Sequence, residues 1–283
     1  MSKTNKLIIS AALCGSGTTK AMTPLVPVTP AEIAANAVAC AKAGASIVHI
    51  HARKENGVPT MDTEYFAEIF EAIKVACLIE NVDLIINLTT SGAPCTWETR
   101  KAHLYRLKPE ICSFDAGSMN WANDYIFDND PKFLKQLCAA TQELNIKPEI
   151  ELFDASMIGN AKYYIEKGLL KTPCHFQLVL GVSGGLPGTI DSVNFMLPKL
   201  PAGSTWSITG IGKSHMPMVL AGLAAGADGL RVGLEDNIYF EKGVLATNAQ
   251  LVARAAEISQ LAGREIATAS EAREILGITR KSW

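Results

Sequence analysis

The sequence predicts an α/β protein, a single (β/α)8 barrel over residues 1–283 with a C-terminal helical extension. Two observations predict it: apolar, β-rich runs alternate with helical patterns, and there are eight such runs. Strand–helix units in series give parallel strands joined by right-handed crossovers. Eight units favour a closed barrel over its rival, an open doubly wound sheet, and no linker or shift in composition divides the chain.

The elements follow from hydrophobic period and turn signals. The predicted strands are, in chain order, 6–13, 45–52, 83–90, 111–118, 147–154, 175–182, 204–212 and 229–235. The clearest helix covers 29–45, where Thr29 is the expected N-cap, Pro30 takes the first helical position and Glu32 completes a capping box. Further helices are predicted over 62–80, 130–144, 155–170, 215–228 and 248–263, followed by a short one capped by Ser270.

The composition excludes several classes of protein. With 48% hydrophobic and 19% charged residues, the chain has enough apolar material for a sizeable core and does not resemble a disordered protein. A net charge of -2 gives no electrostatic footprint for nucleic acid or an anionic membrane. The seven cysteines form no CxxC pair, which predicts reduced thiols in a cytoplasmic protein. No apolar run reaches the roughly 18 residues of a membrane-spanning helix.

The second predicted strand ends in "HIHAR", which contains two of the five histidines of the chain. Side chains alternate faces along a strand, so His49, His51 and Arg53 share the barrel interior while Val48 and Ile50 face the helices. Active sites of such barrels collect at the C-terminal ends of the strands. The two imidazoles are therefore either a metal-ligand pair or two core histidines satisfied by hydrogen bonds.

The eighth predicted strand offers a third ligand. In "GLRVGLEDN", Arg231 and Glu235 share the inner face, and Asp236 follows immediately. Strands two and eight both flank strand one, so His49, His51 and Glu235 can converge. Two histidines and a carboxylate leave a position open for water or substrate, as in catalytic zinc sites. The alternative is that Arg231 and Glu235 simply pair with each other across the interior.

Other predicted strands also end with polar inner faces. They contribute Asn87, Thr89 and Ser91 from strand three, Ser113 and Asp115 from strand four, and Glu149 and Glu151 from strand five. Hydroxyls beside the "TSG" turn suit a substrate carboxylate, although β-propensity alone also explains Thr and Ser in strands. The interior glutamates need a cation, for which Arg231 is the obvious candidate. The glycine-rich turns at 181–188 and 210–215 are either phosphate-binding loops or only tight turns.

These segments, "HIHAR", "TTSG", "SFDAGSMNW", "WSITGIG" and "RVGLEDN", resemble the β-keto acid cleavage enzymes in this order and nearly end to end. The resemblance implies a zinc-dependent TIM barrel, usually a homotetramer. It implies an acyltransferase that converts a β-keto acid and acetyl-CoA into acetoacetate and a new acyl-CoA. It implies His49, His51 and Glu235 as zinc ligands and Arg231 with Asp236 as the catalytic pair.

The resemblance also implies a substrate site, formed by Gly17, Thr89, Thr90, Gly92, Ser113 and Asp115. Thr89 stands where the family has a serine that holds the substrate carboxylate, and Asp115 replaces an asparagine of some members. In the lysine-fermenting member, a glutamate after strand one binds the ammonium group of 3-keto-5-aminohexanoate. Gly17 stands at that position here and supplies no charge, so we expect a different β-keto acid. Trp121, Trp206 and Phe114 would shape its pocket, either an apolar one or an aromatic cage.

The mechanism expected from this resemblance begins with zinc polarising the keto group while Asp236, oriented by Arg231, removes the C2 proton. The loops after strands six and seven, with Lys213, would hold CoA. The rival reaction classes are a metal-dependent aldolase and a metal hydrolase of the HxH type, both acting without CoA. The hydrolases of that type carry HxH on strand one and histidines at the ends of strands five and six, unlike this chain. A non-enzymatic metal sensor is a further alternative.

Overall fold

The structure, a computed structural model, describes residues 5–92 and 94–281 and contains a closed barrel of parallel strands. The barrel strands are β1 Lys6–Ala12, β2 Ile47–Ile50, β3 Ile85–Leu88, β4 Ile111–Asp115, β5 Lys147–Leu152, β6 His175–Leu180, β7 Thr205–Gly210 and β8 Gly229–Val232. Each strand pairs with the next, and β8 closes the barrel by pairing with β1, where Arg231 lies beside Ser10. The predicted closed barrel is confirmed, and the open sheet is excluded.

Helices cover the outside of the barrel. In the described residues they are α1 Pro30–Lys42, α2 Thr63–Glu80, α3 Trp97–Leu107, α4 Pro131–Glu143, α5 Ser156–Glu166, α6 Ile190–Met196, α7 His215–Ala224, α8 Asn248–Leu261 and α9 Ala269–Leu276. The sequence prediction missed α3 and α6. Helix α3 is mostly polar and buries only Arg100, His103 and Leu104, so it lacks an apolar stripe. Helix α6 has only 7 residues, too few for a clear period. None of the helices described is long and apolar enough to cross a membrane.

One of the two predicted helix N-caps is confirmed and the other is wrong. Thr29 caps α1, with reciprocal hydrogen bonds between Thr29 and Glu32, as predicted. The predicted cap Ser270 is wrong, because α9 starts at Ala269 and Thr268 is its N-cap. Thr268 has Glu271 three residues later and forms the capping box, whereas a glutamate or glutamine is missing three residues after Ser270.

All eight barrel strands end one to three residues before their predicted ends, and β4 and β8 are shortened most. After β4 the chain forms an antiparallel hairpin of Met119–Trp121 with Tyr125–Phe127. Strand β8 ends at Val232, since Gly233 has a φ of 141° and a Cβ there would lie 2.1 Å from the Ala12 carbonyl oxygen. Glu235 and Asp236 therefore lie in the turn after β8 rather than on the strand itself.

The C-terminal extension closes one end of the barrel. Glu265–Ile266 adds a short parallel pairing to the start of β1. Beyond it, α9 packs under the barrel against inward-facing isoleucines at the strand starts (Ile8, Ile47, Ile85 and Ile111). Arg273 of α9 binds Asp83 and Glu110 there. Because the N-terminal end is plugged, ligands must enter at the C-terminal ends of the strands.

The two faces of the strands carry different side chains, as the alternation predicts. Val48, Ile50, Leu230 and Val232 join the apolar core between barrel and helices. Phe114 and Trp206 belong to the same core, and Phe114 packs against Tyr164 of α5 with ring centroids 6.2 Å apart. The expectation that these two aromatic residues shape a substrate pocket is wrong, because their neighbours Ser113 and Ser207 occupy the inner face. Trp121 lies instead on the hairpin after β4, against Phe127 and Phe153.

Candidate active site and metal centre

His49, His51 and Glu235 converge at the open end of the barrel. Strand β1 pairs with β2 on one side and with β8 on the other, which brings these segments of distant sequence together. The Nε2 atom of His49 lies 3.8 Å from Glu235 Oε2, and the Nε2 atom of His51 lies 3.4 Å from Glu235 Oε1. The two imidazole rings meet edge to face at 5.2 Å. The predicted cluster therefore forms in the folded chain.

The donor set fits zinc. Tetrahedral coordination with ligand bonds of about 2.1 Å requires ligand atoms about 3.4 Å apart, close to the observed nitrogen–oxygen separations. The buried Oε2 atom of Glu235 has no hydrogen-bond partner among the described residues, and a cation between the three side chains would satisfy it. Two imidazoles and one carboxylate also leave coordination positions open for water or substrate.

Two glycines press the backbone against these side chains. Gly15 has a φ of 59°, and a Cβ at this position would lie 2.5 Å from Glu235 Cγ. Gly92 has a φ of 118°, and a Cβ there would lie 2.6 Å from His51 Nδ1. Both positions combine a left-handed conformation with a close approach, so only glycine leaves the Glu235 and His51 side chains where they are.

Arg231 lies at the centre of the charged groups and is 2% exposed. Its guanidinium donates to Glu151 Oε1 at 3.0 Å, to Glu235 Oε1 at 2.7 Å and to both oxygens of Asp236 at 2.9 Å. The predicted pairing of Arg231 with an interior glutamate is confirmed for Glu151. The pairing with Glu235, which we had considered as an alternative to a metal site, exists beside the histidine cluster and does not use Glu235 Oε2.

Asp236 is held on two sides. Besides the paired bonds from Arg231, its Oδ2 atom accepts a hydrogen bond from Thr209 Oγ1 at 3.0 Å. Burial raises the pKa of Asp236, while Arg231 opposes the shift and Glu235 adds to it. A carboxylate that is fixed in position and more basic than usual is suited to accept a proton. Sequence reasoning missed Thr209, although it shares the inward parity of strand seven with Ser207.

The ionisation states of the ligands suit metal binding. Burial lowers the pKa of His49 to about 3, so this imidazole is neutral near pH 7. Burial alone would raise the pKa of Glu235, but Arg231 and the two histidines hold it well below its usual value. Metal binding therefore requires no proton to leave either His49 or Glu235 at neutral pH.

A second group of donors lies deeper in the barrel and shares His49. It consists of His49, Glu149 and Glu151, with ligand atoms within 4.8 Å of one another. Glu151 is bound by Arg231, and Glu149 Oε2 accepts a hydrogen bond from Asn87 Nδ2 at 2.6 Å. A cation there would face the Arg231 guanidinium, so the outer cluster with Glu235 is the better metal site.

The residues predicted to bind substrate line the same mouth. Thr90 and Ser113 bind each other, since the Thr90 amide donates to Ser113 Oγ at 3.0 Å and the Thr90 hydroxyl to the Ser113 carbonyl oxygen at 3.1 Å. Thr89 Oγ1 forms a local turn with Ser91. These contacts hold the ends of β3 and β4 together beside Gly92, and the predicted contacts with substrate remain predictions.

Asp115 and Gly17 differ in how the chain surrounds them. Asp115 is 2% exposed, and its Oδ2 atom has no hydrogen-bond partner among the described residues. Gly17 lies in the loop after β1, where an added Cβ would meet no atom within 4 Å. Arg53 fixes this loop by donating to the carbonyl oxygens of Cys14, Gly15 and Thr18. Gly17, which the sequence places in the substrate site, thus borders open space.

The glycine-rich loops are packed tightly against their neighbours. A Cβ at Gly184 would lie 1.8 Å from the Asn120 carbonyl oxygen, and one at Gly188 would lie 2.3 Å from Ser214 Cβ. Close packing therefore explains these glycines without a bound phosphate. Lys213 is exposed on the loop between β7 and α7, on the side of the mouth. Its predicted role in binding CoA stays a prediction.

Comparison with known proteins gives the family. Residues 6–278 match the beta-keto acid cleavage enzyme family. The 3-keto-5-aminohexanoate cleavage enzyme of Fusobacterium nucleatum is 40% identical over 276 residues, which cover 97% of this chain and 99% of that protein. The 3-dehydrocarnitine:acetyl-CoA trimethylamine transferase of Rhizobium meliloti is 34% identical over 99% of both chains. Enzymes with different substrates are thus similar to this chain over their whole length.

A solved structure agrees on the fold. The apo structure of ObcA superposes with a TM-score of 0.79 at 22% identity, over 90% of this chain and 66% of that chain. The match supports the barrel architecture and nothing finer. Together with the order of the site residues along the strands, the nearly full-length sequence matches lead to one conclusion: the chain is an enzyme that belongs to the beta-keto acid cleavage enzyme family.

Proposed function

We propose that the protein is a zinc-dependent acyltransferase that acts on a β-keto acid and acetyl-CoA. The products would be acetoacetate, formed from the acetyl group and the carboxymethyl carbons of the acid, and a new acyl-CoA formed from the remainder. The observation that carries the proposal is the convergence of His49, His51 and Glu235 beside the Arg231–Asp236 pair. The name of the Rhizobium meliloti relative supports acetyl-CoA as the co-substrate.

His49, His51 and Glu235 would hold the zinc ion, which supplies Lewis acidity toward the keto group of the acid. Asp236 would accept the C2 proton of the bound β-keto acid. Arg231 and Thr209 hold the Asp236 carboxylate in one position through three hydrogen bonds. Arg231 also offsets the negative charge of the buried carboxylates, which an anionic substrate would otherwise meet unscreened.

The substrate carboxylate would lie at the ends of β3 and β4. Thr89, the backbone at Gly92 and the Ser113 hydroxyl supply the hydrogen-bond donors there, with Thr90 fixing Ser113 in place. Asp115 would meet a donor group of the substrate, because its Oδ2 atom is buried and accepts no bond from the described residues. In this proposed pose the substituent of the acid would point toward the loop that contains Gly17.

The substrate is proposed to be a β-keto acid other than 3-keto-5-aminohexanoate. Gly17 supplies no counter-charge, and the space beside it is open. The carboxylates Asp115, Glu151 and Asp236 are buried at the C-terminal ends of β4, β5 and β8 and are not part of the loop around residue 17. A substituent that reaches this loop would therefore be neutral or anchored elsewhere.

The remaining proposals concern the whole protein. The loops at 181–188 and 210–215, with Lys213, would hold the CoA moiety. Residues 1–283 would form one catalytic domain in a cytoplasmic homotetramer that needs neither nucleic acid nor membrane. These proposals rest on the family resemblance.

Acetyl-CoA dependence is the test of the reaction. Zinc-loaded protein should produce acetoacetate from one or more members of a β-keto acid panel only when acetyl-CoA is present. Cleavage without acetyl-CoA would identify a metal-dependent aldolase or hydrolase instead, and zinc binding with no product from any acid would leave the sensor alternative.

Replacement of the proposed base tests the assignment within the site. The Asp236→Asn variant should bind zinc as the wild type does and lose at least about 100-fold in turnover, the usual contribution of a general base. Asp62→Asn serves as the matched control, because Asp62 is an N-cap that asparagine replaces well. Normal turnover in the Asp236→Asn variant would refute the assignment.

A further inference from the structure

A buried polar network lies directly beneath the candidate zinc site. Asn87 of β3 is the register partner of His49 of β2, and the two residues are 0% and 1% exposed. His49 Nδ1 and Asn87 Oδ1 are both buried atoms with no hydrogen-bond partner among the described residues. Two orphaned polar atoms on neighbouring inward-facing residues can satisfy each other, and leaving both unpaired would be costly.

The orientation of the Asn87 amide is set from its other side. Its Nδ2 atom donates to Glu149 Oε2 at 2.6 Å, and Glu149 is 1% exposed. With Nδ2 as the donor to Glu149, the carbonyl oxygen of the same amide faces away from Glu149. The Asn87 oxygen is thus available as an acceptor toward β2.

The orientation of the His49 ring matches this acceptor. Its Nε2 atom faces Glu235 Oε2 at 3.8 Å, on the side where the metal would bind. A metal takes the lone pair of Nε2 only in the tautomer that carries its proton on Nδ1. That N–H then needs an acceptor on the opposite side of the ring, inside the barrel.

We propose that Asn87, anchored by Glu149, is the positioning residue that selects the zinc-binding tautomer of His49 and fixes its ring. The proposal rests on the zinc site of the proposed function and adds a residue that touches neither metal nor substrate. Glu151 lies in the same group of donors as His49, but its Oε1 atom is bound by Arg231 and His49 Nδ1 makes no hydrogen bond to it. On the Nδ1 side of His51 lies the backbone of Gly92 instead of a side chain like Asn87.

The network continues across the barrel and contains a residue that is suited as a control. Beyond Glu149, His175 Nε2 lies 3.8 Å from Glu149 Oε1 and 3.2 Å from Ser207 Oγ. Ser207 in turn donates to Gln177 Oε1. Ser207 is buried and polar like Asn87 but lies at the far end of these contacts, so Ser207→Ala is a matched control.

The test measures zinc affinity by competition with a chromophoric chelator, together with the unfolding free energy of the metal-free proteins. Asn87→Leu, which keeps the size of the side chain and removes the acceptor, should weaken zinc binding about 10- to 100-fold. Ser207→Ala should bind zinc within about twofold of wild type. A merely structural role for Asn87 would lower the stability of the metal-free protein and leave zinc affinity unchanged, and that result would overturn the proposal.

A double replacement keeps the proposal testable if Asn87→Leu does not fold. In Asn87→Asp combined with Glu149→Gln, the new amide donates to the new carboxylate, whose other oxygen can still accept from His49 Nδ1. This variant should regain zinc affinity to within about threefold of wild type, and affinity as weak as that of a variant without the acceptor, Asn87→Ala, would overturn the proposal. A wild-type protein that takes up no zinc would refute the proposed function first, which separates the two failures.

Discussion

Removal of Arg231 should expose how much of the barrel interior depends on one cation. The guanidinium is 2% exposed and compensates three carboxylates, those of Glu151, Glu235 and Asp236, at 2.7 to 3.0 Å. Arg231→Met keeps an unbranched apolar stem and removes the charge and every one of these hydrogen bonds. The three carboxylates then remain buried without their partner.

The structure gives the expected size of the effect. Breaking a buried ion pair by removing one partner costs about 3–5 kcal/mol. Unfolding entropy of about 2.1 cal/mol/K per residue gives roughly 0.6 kcal/mol/K for a chain of 283 residues. We therefore expect the Tm of the metal-free variant to fall by about 5–8 °C at pH 7, and turnover to be lost.

The loss should depend on pH in a defined direction. Burial would raise the pKa of Glu235, and Arg231 instead holds it well below its usual value in the wild type. A depressed carboxylate pKa contributes stability that is present above the unfolded-state pKa and disappears as the pH falls through the folded one. Without Arg231 that contribution is absent, and the buried carboxylates take up protons as the pH falls. The difference in unfolding free energy between variant and wild type should therefore shrink from pH 7 toward pH 4.

The assay is urea or thermal unfolding of metal-free protein, with turnover measured on the zinc-loaded form. Arg273→Met is the matched control, because Arg273 is 4% exposed and binds Asp83 and Glu110 at the opposite end of the barrel. It should lose comparable stability and keep the turnover of the folded fraction. A metal-free Arg231→Met protein within about 1 kcal/mol of wild type at pH 7 would refute the view that Arg231 offsets buried charge.

Three further predictions address the substrate loop, a metal ligand and acid stability. Gly17→Glu, for which the loop has space, should raise turnover of an ammonium-bearing β-keto acid relative to a neutral one, and Gly17→Gln should not; equal effects of both would argue against charge recognition. Gly92→Ala should weaken zinc binding at least about tenfold by displacing His51, whereas Gly57→Ala, with a φ of 81° and no atom within 4 Å of the added carbon, should strain only its loop. Burial lowers the pKa of His103 from 6.5 to about 3, so His103 alone should cost the wild type about 1.4 kcal/mol of unfolding free energy for each pH unit below 6.5. His103→Phe, which can keep the stack on Phe66, should lack this one contribution, so its unfolding free energy should fall less steeply with pH than that of the wild type. Parallel pH profiles in urea unfolding would contradict this prediction.

Much of the architecture could be predicted from local patterns. Apolar runs and turn signals placed all eight barrel strands, and the alternation of side chains placed His49, His51 and Arg231 on the inner face. The same alternation, applied to Ser113 and Ser207, would also have placed Phe114 and Trp206 outside. Helices α3 and α6 escaped prediction because one is polar and the other short, so neither leaves a clear period in the sequence.

The sequence by itself determined which chemical groups face the barrel interior, because the direction of a side chain along a strand depends only on its neighbours in the chain. Only the tertiary structure decided which groups meet. Arg231 binds Glu151 across 80 positions, and Asn87 binds Glu149 across 62. These contacts form only because the barrel closes and its strands pair in this register. Likewise, the close approach of Gly233 to Ala12 ends β8 early and places Glu235 in a turn that faces the two histidines.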